Sequence, residues 1–314
     1  MFKFLEQLFW EPKRADAYQP HQRPINPEYD RAWRPVEWSQ DNVCQMLRYI
    51  KKFQPATAES RKVNILLHGP IGAGKSSFIN SINTAIQGKN TARALVDASS
   101  GNSQSYTLTF NNYHMKKAGT RSYYPFVFTD IMGLEPENTQ GIQPKDIKNI
   151  LKGHVKDGYT FNPVKPIGKD DPRFYRSDPG LRNRVHCLVS ALPADKISLI
   201  SDEVIQKMRD VRKTARDLGI PQVVVMSMVD KACPLVNQNL SKIYTSKRIK
   251  EKMKECSDRL GVPMNCIYPV QNYHEQVAND MDMDILILMA VTDIINFANN
   301  YVEDQVYKAN QDDE

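Results

Sequence analysis

The stretch Gly69–Ser76, with the letters GPIGAGKS, limits the possible folds of this 314-residue chain more than any other feature. It matches the pattern G-x-x-x-x-G-K-[ST] of a phosphate-binding loop, which joins a strand to the start of a helix. The flanks agree, since an apolar run over 63–68 precedes the loop and apolar residues recur at helical spacing over 77–82. The sequence therefore predicts a strand, a glycine-rich turn and a helix that together hold phosphate.

Each part of this loop has a predicted task. The glycines let consecutive backbone N–H groups face phosphate oxygens, and the first turn of the helix adds the positive end of its dipole. Lys75 is placed to reach the β- and γ-phosphates, and the Ser76 hydroxyl is placed to ligate Mg²⁺. The residues predicted to contact nucleotide in the loop are Gly69, Ile71, Gly72, Ala73, Gly74, Lys75, Ser76 and Ser77.

A second motif of the same type of site is Asp130-Ile-Met-Gly133, which follows a strand-like run ending on Asp130. The Asp130 carboxylate would hold Mg²⁺ through a water molecule, and the Gly133 N–H would meet the γ-phosphate. D-x-x-G alone is a short motif, and an ordinary loop without a ligand is the alternative; its position at a strand end favours the functional interpretation. We predict Lys75 and Asp130 as catalytic groups, and Ser76 and Asp130 as metal ligands.

A third group of residues would recognise the base. GTP-binding proteins usually carry [NT]-K-x-D after a late strand, and here a continuously apolar run leads into Ser227-Met-Val-Asp230. The Asp230 carboxylate would accept hydrogen bonds from the guanine N1–H and 2-amino group, which adenine lacks. Ser227 and Met228 depart from the usual residues, so guanine selectivity and a permissive base pocket both stay open. Asn272, after the last predicted strand, is a candidate for contact with the base edge.

Two absences bear on hydrolysis. Many small GTPases place a Gln directly after D-x-x-G to orient the attacking water. Leu134 stands at that position, and no lone Arg can be assigned as a catalytic finger. We expect intrinsic hydrolysis to be slow, or to depend on a partner, on dimerisation or on another loop. The side chain that senses the γ-phosphate is predicted within 99–107, where the candidates are Ser103, Ser105 and Thr107.

Predicted strands and helices alternate along most of the chain, which is typical of a doubly wound α/β sheet. We expect a phosphate-loop G domain with a mostly parallel sheet flanked by helices. The predicted parts are an N-terminal extension over 1–58 with one helix at about 39–53, the G domain over 59–305, a loop-rich insertion over 133–184 and an acidic tail over 306–314.

Composition allows a globular domain and limits its partners. Hydrophobic residues make up 41% of the chain, enough for a core, and the net charge of +6 is modest. No Lys/Arg block is long enough to indicate nucleic-acid binding. Five cysteines without a C-x-x-C pair, together with the lack of a secretory signal, favour a reduced, cytoplasmic protein. Residues 2–10 form a candidate amphipathic helix that would dock on protein or, as the weaker alternative, contact a membrane.

Several blocks of this sequence resemble the interferon-induced protein 44 and 44-like family. The resemblance runs from about Trp33 to Asp304, and it is carried by 63–78 (VNILLHGPIGAGKSSF), 128–134 (FTDIMGL), 146–153 (DIKNILKG), 184–187 (RVHC) and 35–38 (PVEW). It implies a cytoplasmic, interferon-inducible, antiviral or antiproliferative GTP-binding protein with a dynamin- or septin-like G domain.

The resemblance extends to some site residues and not to others. By position, Lys75, Ser76 and Asp130 match the family's motifs. Ser227 and Met228 depart from its Thr-Lys-x-Asp base motif, which puts strict guanine selectivity in question.

Two functions of different classes follow. One is a slow or partner-stimulated GTPase in the interferon-induced innate immune response, which binds GTP or GDP with Mg²⁺. The alternative is a nucleotide-binding scaffold with little hydrolysis or relaxed base choice, whose insertion offers surface to protein partners or to a second copy of the chain.

Overall fold

Six strands build a single sheet in the part of the chain that the structure describes. A computed structural model describes residues 26–57, 60–91, 94, 108–276 and 278–312. The strands are β1 (Val63–His68), β2 (Asn111–Lys116), β3 (Tyr123–Asp130), β4 (Cys187–Pro193), β5 (Gln222–Ser227) and β6 (Ile267–Pro269). Their order across the sheet is β2-β3-β1-β4-β5-β6; β2 runs antiparallel to β3, and every other pairing is parallel.

Eight α-helices are described along these same ranges. They are α1 (Gln40–Lys52), α2 (Lys75–Gln87), α3 (Pro144–Leu151), α4 (Asp202–Asp217), α5 (Val229–Ala232), α6 (Pro234–Gln238), α7 (Lys247–Leu260) and α8 (Met281–Asp312). Helix α8 packs against α1, α2, β1 and β4, whereas α4 packs against α3, α7, β4 and β5. The sheet is thus covered by two helical layers, and the predicted doubly wound α/β fold is confirmed.

The central strands explain why this architecture forms. Every residue of β4 is buried, and β1 and β5 are each buried at all but one position. Strands that are apolar on both faces need cover on both faces, and parallel connections supply it because each crossover contains a helix. The core therefore lies on both sides of β1, β4 and β5.

Several element boundaries differ from the sequence-based expectation. The alternating run over 106–113 predicts the second strand, but β2 spans Asn111–Lys116. The sequence of the insertion predicts a helix over 145–155, but α3 ends at Leu151, shortly before Gly153 with φ of +82°. The sequence predicts the last helix over 283–302, but α8 continues to Asp312, so residues 306–312 of the predicted tail are helical.

The segment 26–38 crosses the outer edge of the sheet beside β6. Arg34 donates hydrogen bonds to the carbonyl oxygens of Met264 (2.8 Å) and Ile267 (2.9 Å), and its guanidinium lies 5.2 Å from the ring centre of Tyr244. The segment leads into α1, whose N-terminus is capped by the Ser39 side chain, a residue type that is strongly preferred at this position. The predicted helix over 2–10 lies outside the described residues.

None of the helices described is both long enough and apolar enough to cross a membrane.

Candidate nucleotide-binding site

Four loops meet at one edge of the sheet, because the carboxyl ends of parallel strands point the same way. The phosphate loop follows β1, the Asp130 motif ends β3, Ser227 ends β5, and Asn272 follows β6. In open α/β sheets this edge is where ligands bind, at the point where the strand order reverses. In this sheet the strand order reverses at β1. The next parallel strand along the chain, β3, pairs with one side of β1, and β4 pairs with its other side. The tertiary fold therefore brings the three predicted motifs together.

The phosphate loop is tightly bent where it leaves β1. Gly69 has φ of +149°, and a Cβ at this position would lie 2.2 Å from the Ala191 carbonyl oxygen on β4. No side chain fits there, so glycine is required by a close approach of two backbones. The bend turns the loop over the start of α2, whose first residue is Lys75 and whose N-cap is Gly74. The N–H groups of that first turn are available to an anion, as phosphate loops require.

The loop places its side chains at different depths. Ala73 is buried, Gly72 is exposed at the outer bend, and Ile71, Gly74, Ser76 and Ser77 are partly buried. Lys75 is almost fully buried, and its Nζ donates to the carbonyl oxygens of Gly69 (3.3 Å) and Pro70 (3.1 Å). The ammonium is thus folded against the inside of the loop, within reach of the position that phosphate oxygens would take.

The two predicted metal ligands are in direct contact. The Ser76 hydroxyl donates a hydrogen bond to Asp130 Oδ2, although these residues lie on α2 and at the end of β3. Asp130 is fully buried. A hydroxyl beside a carboxylate is an all-oxygen arrangement of the kind Mg²⁺ prefers, usually completed by waters and substrate phosphates. The pair therefore suits Mg²⁺ bound together with a nucleotide, and the metal assignment stays a prediction.

Gly133 packs directly on the phosphate loop. A Cβ on Gly133 would lie 2.4 Å from Cγ1 and 2.7 Å from the backbone nitrogen of Ile71. The next residue, Leu134, is buried, and its N–H donates to the Gly69 carbonyl oxygen at 3.0 Å. The side chain that occupies the usual position of a water-orienting Gln is therefore apolar and turned into the core.

The base side of the site is tied to the loop by short side chains. Ser227 Oγ donates to the Ala73 carbonyl oxygen at 2.8 Å. Met228 then takes a left-handed conformation (φ of +57°), uncommon for a residue with a side chain, and this turns the chain into α5. Asp230 lies in the first turn of α5, partly buried, and no hydrogen bond of its carboxylate is seen within the described part of the chain. Ser227 thus holds the loop, and Asp230 keeps a free acceptor group.

Asn272 links the loop after β6 to the same place. Its Nδ2 donates to the Gly74 carbonyl oxygen at 3.2 Å, while its buried Oδ1 has no hydrogen-bond partner among the described residues. A buried acceptor without a partner is costly unless a ligand satisfies it. This orphaned oxygen, the backbone cradle and the Ser76–Asp130 pair are all suited to a nucleotide with Mg²⁺.

Burial and charge act together on Lys75. Burial lowers the pKa of its ammonium, and the carboxylates of Asp130 and Glu135 act in the opposite direction. His68, directly before the loop, is buried and contacts Ser190 Oγ through Nε2 at 2.8 Å. Burial, with Lys75 and Arg212 as further causes, lowers the pKa of His68 to about 3. The imidazole is therefore neutral at physiological pH and adds no charge to the site.

Sequence reasoning missed two residues near the site. Glu135 affects the pKa of Lys75, although no motif includes it. Lys207 on α4 donates to three successive carbonyl oxygens of the loop after Gly133. Neither position has a sequence signal, because a lysine on an amphipathic helix and a glutamate in a loop are common surface residues. The predicted γ-phosphate sensors Ser103, Ser105 and Thr107 lie outside the described residues.

The strand order, the phosphate loop and the Asp130 motif together define a phosphate-loop protein of the G-domain class.

Comparison with curated proteins finds relatives in the family that the sequence resembles. The chain is 32% identical to human interferon-induced protein 44 over 259 residues, which is 82% of this chain and 57% of that protein. It is 32% identical to the mouse protein over 275 residues (88% and 63%) and 31% identical to human interferon-induced protein 44-like over 260 residues (83% and 57%). The resemblance to the interferon-induced protein 44 and 44-like family is thereby confirmed over the aligned region.

The chain spans about 60% of the length of the curated relatives it matches. No protein-family model matches it. Among solved structures, Toc33 from Arabidopsis thaliana in complex with GDP and Mg²⁺ aligns with a TM-score of 0.44 at 16% identity, covering 83% of this chain and 92% of that one. A dimerization-deficient variant of Toc33 aligns with a TM-score of 0.41 at 17% identity.

Proposed function

We propose that this protein binds GTP and GDP with Mg²⁺ and hydrolyses GTP slowly, or only with a partner or a second copy. The observation that carries the proposal is the contact between the Ser76 hydroxyl and the Asp130 carboxylate beside the Lys75 ammonium. This contact brings the two predicted metal ligands, Ser76 and Asp130, close to the Lys75 ammonium, which would bind phosphate, at one point of the sheet edge. The named relatives are interferon-induced proteins, and we extend to this chain a cytoplasmic role in the innate, antiviral response.

Each part of the site would bind a different part of the nucleotide. The backbone of the loop and the N-terminus of α2 bind phosphate oxygens, while Lys75 leaves the carbonyl oxygens of Gly69 and Pro70 to neutralise phosphate charge. Ser76 and Asp130 would hold Mg²⁺, which supplies charge neutralisation of the phosphates when bound. Asp230 and Asn272 present oxygen acceptors to the base, which favours guanine because adenine lacks the matching donors.

The first test is a nucleotide-binding panel with the purified chain. We expect GTP and GDP to bind at least about tenfold more tightly than ATP and ADP, in a Mg²⁺-dependent way for the triphosphate. Lys75→Ala should remove most of this binding, because the buried cation has no substitute in the cradle. Lys51→Ala, an exposed change on α1, is the matched control and should bind as the parent does. Equal binding of ATP and GTP would contradict the guanine assignment.

The second candidate function is a nucleotide-operated scaffold with almost no turnover. It is favoured by Leu134, whose buried side chain leaves no group to orient a water at that position. Single-turnover phosphate release at increasing protein concentration separates the two functions. Release that rises with concentration supports a GTPase stimulated by self-association, whereas release equal to that of Lys75→Ala at every concentration supports the scaffold.

A further inference from the structure

The residue after Asn272 attaches the chain behind β6 to helix α2. The Tyr273 N–H donates a hydrogen bond to Ser81 Oγ at 2.9 Å, and Ser81 is fully buried on α2. The Ser81 hydroxyl in turn donates to the Ser77 carbonyl oxygen at 2.7 Å, so this hydroxyl both accepts and donates inside the protein. Asn272 and Tyr273 are therefore both bonded to the phosphate-binding unit, Asn272 through Gly74 and Tyr273 through the second turn of α2.

The side chain of Tyr273 reaches the start of helix α8. Its hydroxyl lies 2.8 Å from Asp284 Oδ1 and 2.9 Å from the Asp280 carbonyl oxygen, which are the two acceptors for its single proton. The same hydroxyl accepts the Asp280 N–H at 2.8 Å. Asn279 Nδ2 donates to Asp284 Oδ2 at 3.1 Å. These four residues, Tyr273, Asn279, Asp280 and Asp284, are here called the Tyr273 cluster.

The centre of the Tyr273 cluster is buried where α2 meets α8. Tyr273 and Asp284 are each 7% exposed, and Asn279 Nδ2 lies 3.4 Å from the Thr84 carbonyl oxygen on α2. Helix α8 packs on α1, α2, β1 and β4, so Asp284 belongs to a fixed part of the domain. A buried polar network whose hydrogen bonds are made favours one arrangement, because the alternatives leave buried groups unpaired. The cluster therefore limits movement of the chain at Tyr273.

The position of Tyr273 bears directly on Asn272, its neighbour in the chain. Asn272 Nδ2 faces the Gly74 carbonyl oxygen, and a Cβ on Gly74 would lie 2.9 Å from that nitrogen, so the amide packs against the phosphate loop. Because Nδ2 is the donor, Oδ1 is the atom left for a ligand, and it is buried without a partner among the described residues. A hydrogen bond from a base N–H needs about 2.7 to 3.2 Å between the heavy atoms, so the backbone position at 272 decides whether it forms.

We propose that Tyr273 is a positioning residue for base binding, which holds the Asn272 amide where its Oδ1 accepts an N–H of the base. This inference rests on the proposed nucleotide binding and names a determinant of affinity in the same site. Without the bonds of the Tyr273 hydroxyl, the cost of ordering Asn272 is added to the binding step. The phosphate cradle keeps its own backbone N–H groups, so affinity for phosphate alone does not depend on the cluster.

The binding experiment compares GDP with inorganic pyrophosphate, both with Mg²⁺, by isothermal titration. Tyr273→Phe removes the hydroxyl and keeps the ring, and Asp284→Ala removes the acceptor on α8. We expect GDP to bind about fivefold more weakly in both variants, while pyrophosphate stays within twofold of the parent. The matched control is Tyr268→Phe, because the Tyr268 hydroxyl also donates to an α8 aspartate, Asp293, at 2.8 Å, but from the middle of β6. GDP affinity in this control should stay within twofold of the parent.

A double-mutant cycle tests whether Tyr273 acts through Asn272. Asn272→Ala removes the acceptor that the cluster is proposed to hold. Adding Tyr273→Phe to Asn272→Ala should therefore change GDP affinity by less than twofold, although the same change weakens binding about fivefold in the parent. If the two losses multiply instead, Tyr273 acts by another route and the inference is overturned.

The other outcomes separate this inference from the proposed function. Failure of the parent chain to bind GDP refutes the proposed function, and this inference with it. If the parent binds GDP, an affinity within twofold of the parent in Tyr273→Phe overturns the inference alone. Equal losses for GDP and pyrophosphate also overturn it, because the cluster would then support the phosphate cradle rather than the base.

A readout without ligand tests the hydrogen bonds themselves. In the nucleotide-free chain, Tyr273→Phe removes the acceptor of the Asp280 N–H. We expect this amide and the amide of residue 273 to exchange with solvent at least about fivefold faster than in the parent, and both to be unchanged in Tyr268→Phe. Equal exchange in Tyr273→Phe and the parent would show that the hydroxyl does not hold the chain there, and would overturn the inference.

Discussion

Asp230 is the residue on which the proposed base selectivity would depend. The neighbouring residues make other contacts: Ser227 donates a hydrogen bond to the Ala73 carbonyl oxygen, and Met228 has the left-handed conformation that turns the chain. Asn272 donates a hydrogen bond from Nδ2 to the Gly74 carbonyl oxygen, so its Oδ1 is the one acceptor atom that this side chain can offer to a base. Guanine recognition would therefore rest on the Asp230 carboxylate, with at most one further acceptor beside it.

We predict that Asp230→Asn lowers GTP affinity at least about thirtyfold and leaves ATP affinity within twofold. The amide replaces one carboxylate acceptor with a donor, which would face the guanine N1–H or 2-amino group without a partner. Isothermal titration with GTP, GDP and ATP measures this, and Asp258→Asn, an exposed change on α7, is the control. Equal losses for GTP and ATP would show instead that Asp230 supports the fold of the pocket.

At the scale of the elements, the segment 26–38 protects the short edge strand β6. That strand is only three residues long, and its outer side meets Arg34 rather than another strand. Arg34 satisfies two carbonyl oxygens and contacts two aromatic rings, those of Tyr244 and Tyr268, so its planar guanidinium is used on both its edge and its face. Asn272 follows this strand, so the segment also supports one corner of the candidate site.

Arg34→Ala is predicted to reduce the free energy of unfolding by about 2 to 3 kcal/mol, because it leaves two carbonyl oxygens without their charged donor. Urea unfolding followed by circular dichroism measures the change, and Arg31→Ala, an exposed change in the same segment, should alter it by less than about 0.5 kcal/mol. If both variants unfold like the parent, the segment packs on the domain without stabilising it.

At the scale of the whole molecule, buried titratable groups make stability depend on pH. Burial lowers the pKa of His68 to about 3 and that of His186 to about 4. In the unfolded chain both titrate near 6.5. Below that pH the unfolded chain binds protons that the folded chain does not, so stability falls as pH drops from about 6.5. Asp146 acts oppositely, because burial raises its pKa to about 6 and the folded chain is then the form that binds the proton.

Between pH 6.5 and pH 5 each histidine is predicted to lower the free energy of unfolding by about 1.6 kcal/mol, and Asp146 to raise it by about 1.2 kcal/mol. The free energy of unfolding should therefore fall by about 2 kcal/mol over this interval. Urea titrations at several pH values measure it; His68→Gln should remove about four-fifths of this fall, while Asp146→Asn should make it steeper. A parent chain equally stable at both pH values would mean that the histidines take up protons in the folded state.

The phosphate loop, the α/β class and the family resemblance could be predicted from the sequence because each depends on local patterns. Strand β1, α2 and α7 have short-range signals: apolar runs, a glycine turn and the stop at Gly261. The exact ends of helices and strands are predicted less accurately than their existence. The extension of α8 to Asp312 over a polar, charged stretch has no cap or stop that a sequence pattern would mark.

What the sequence by itself determined is the chemistry of single positions: a lysine and a serine that begin a helix, an aspartate that ends a strand, and a leucine where a glutamine is usual. Only the tertiary structure decided which of these meet. The Ser76–Asp130 contact joins residues far apart in the chain, Ser227 turns out to hold Ala73, and Lys207 reaches a loop that no motif connects to it. The physical reason is that parallel strands bring their carboxyl ends to one edge, and hydrogen bonds across that edge depend on packing rather than on neighbours in the chain.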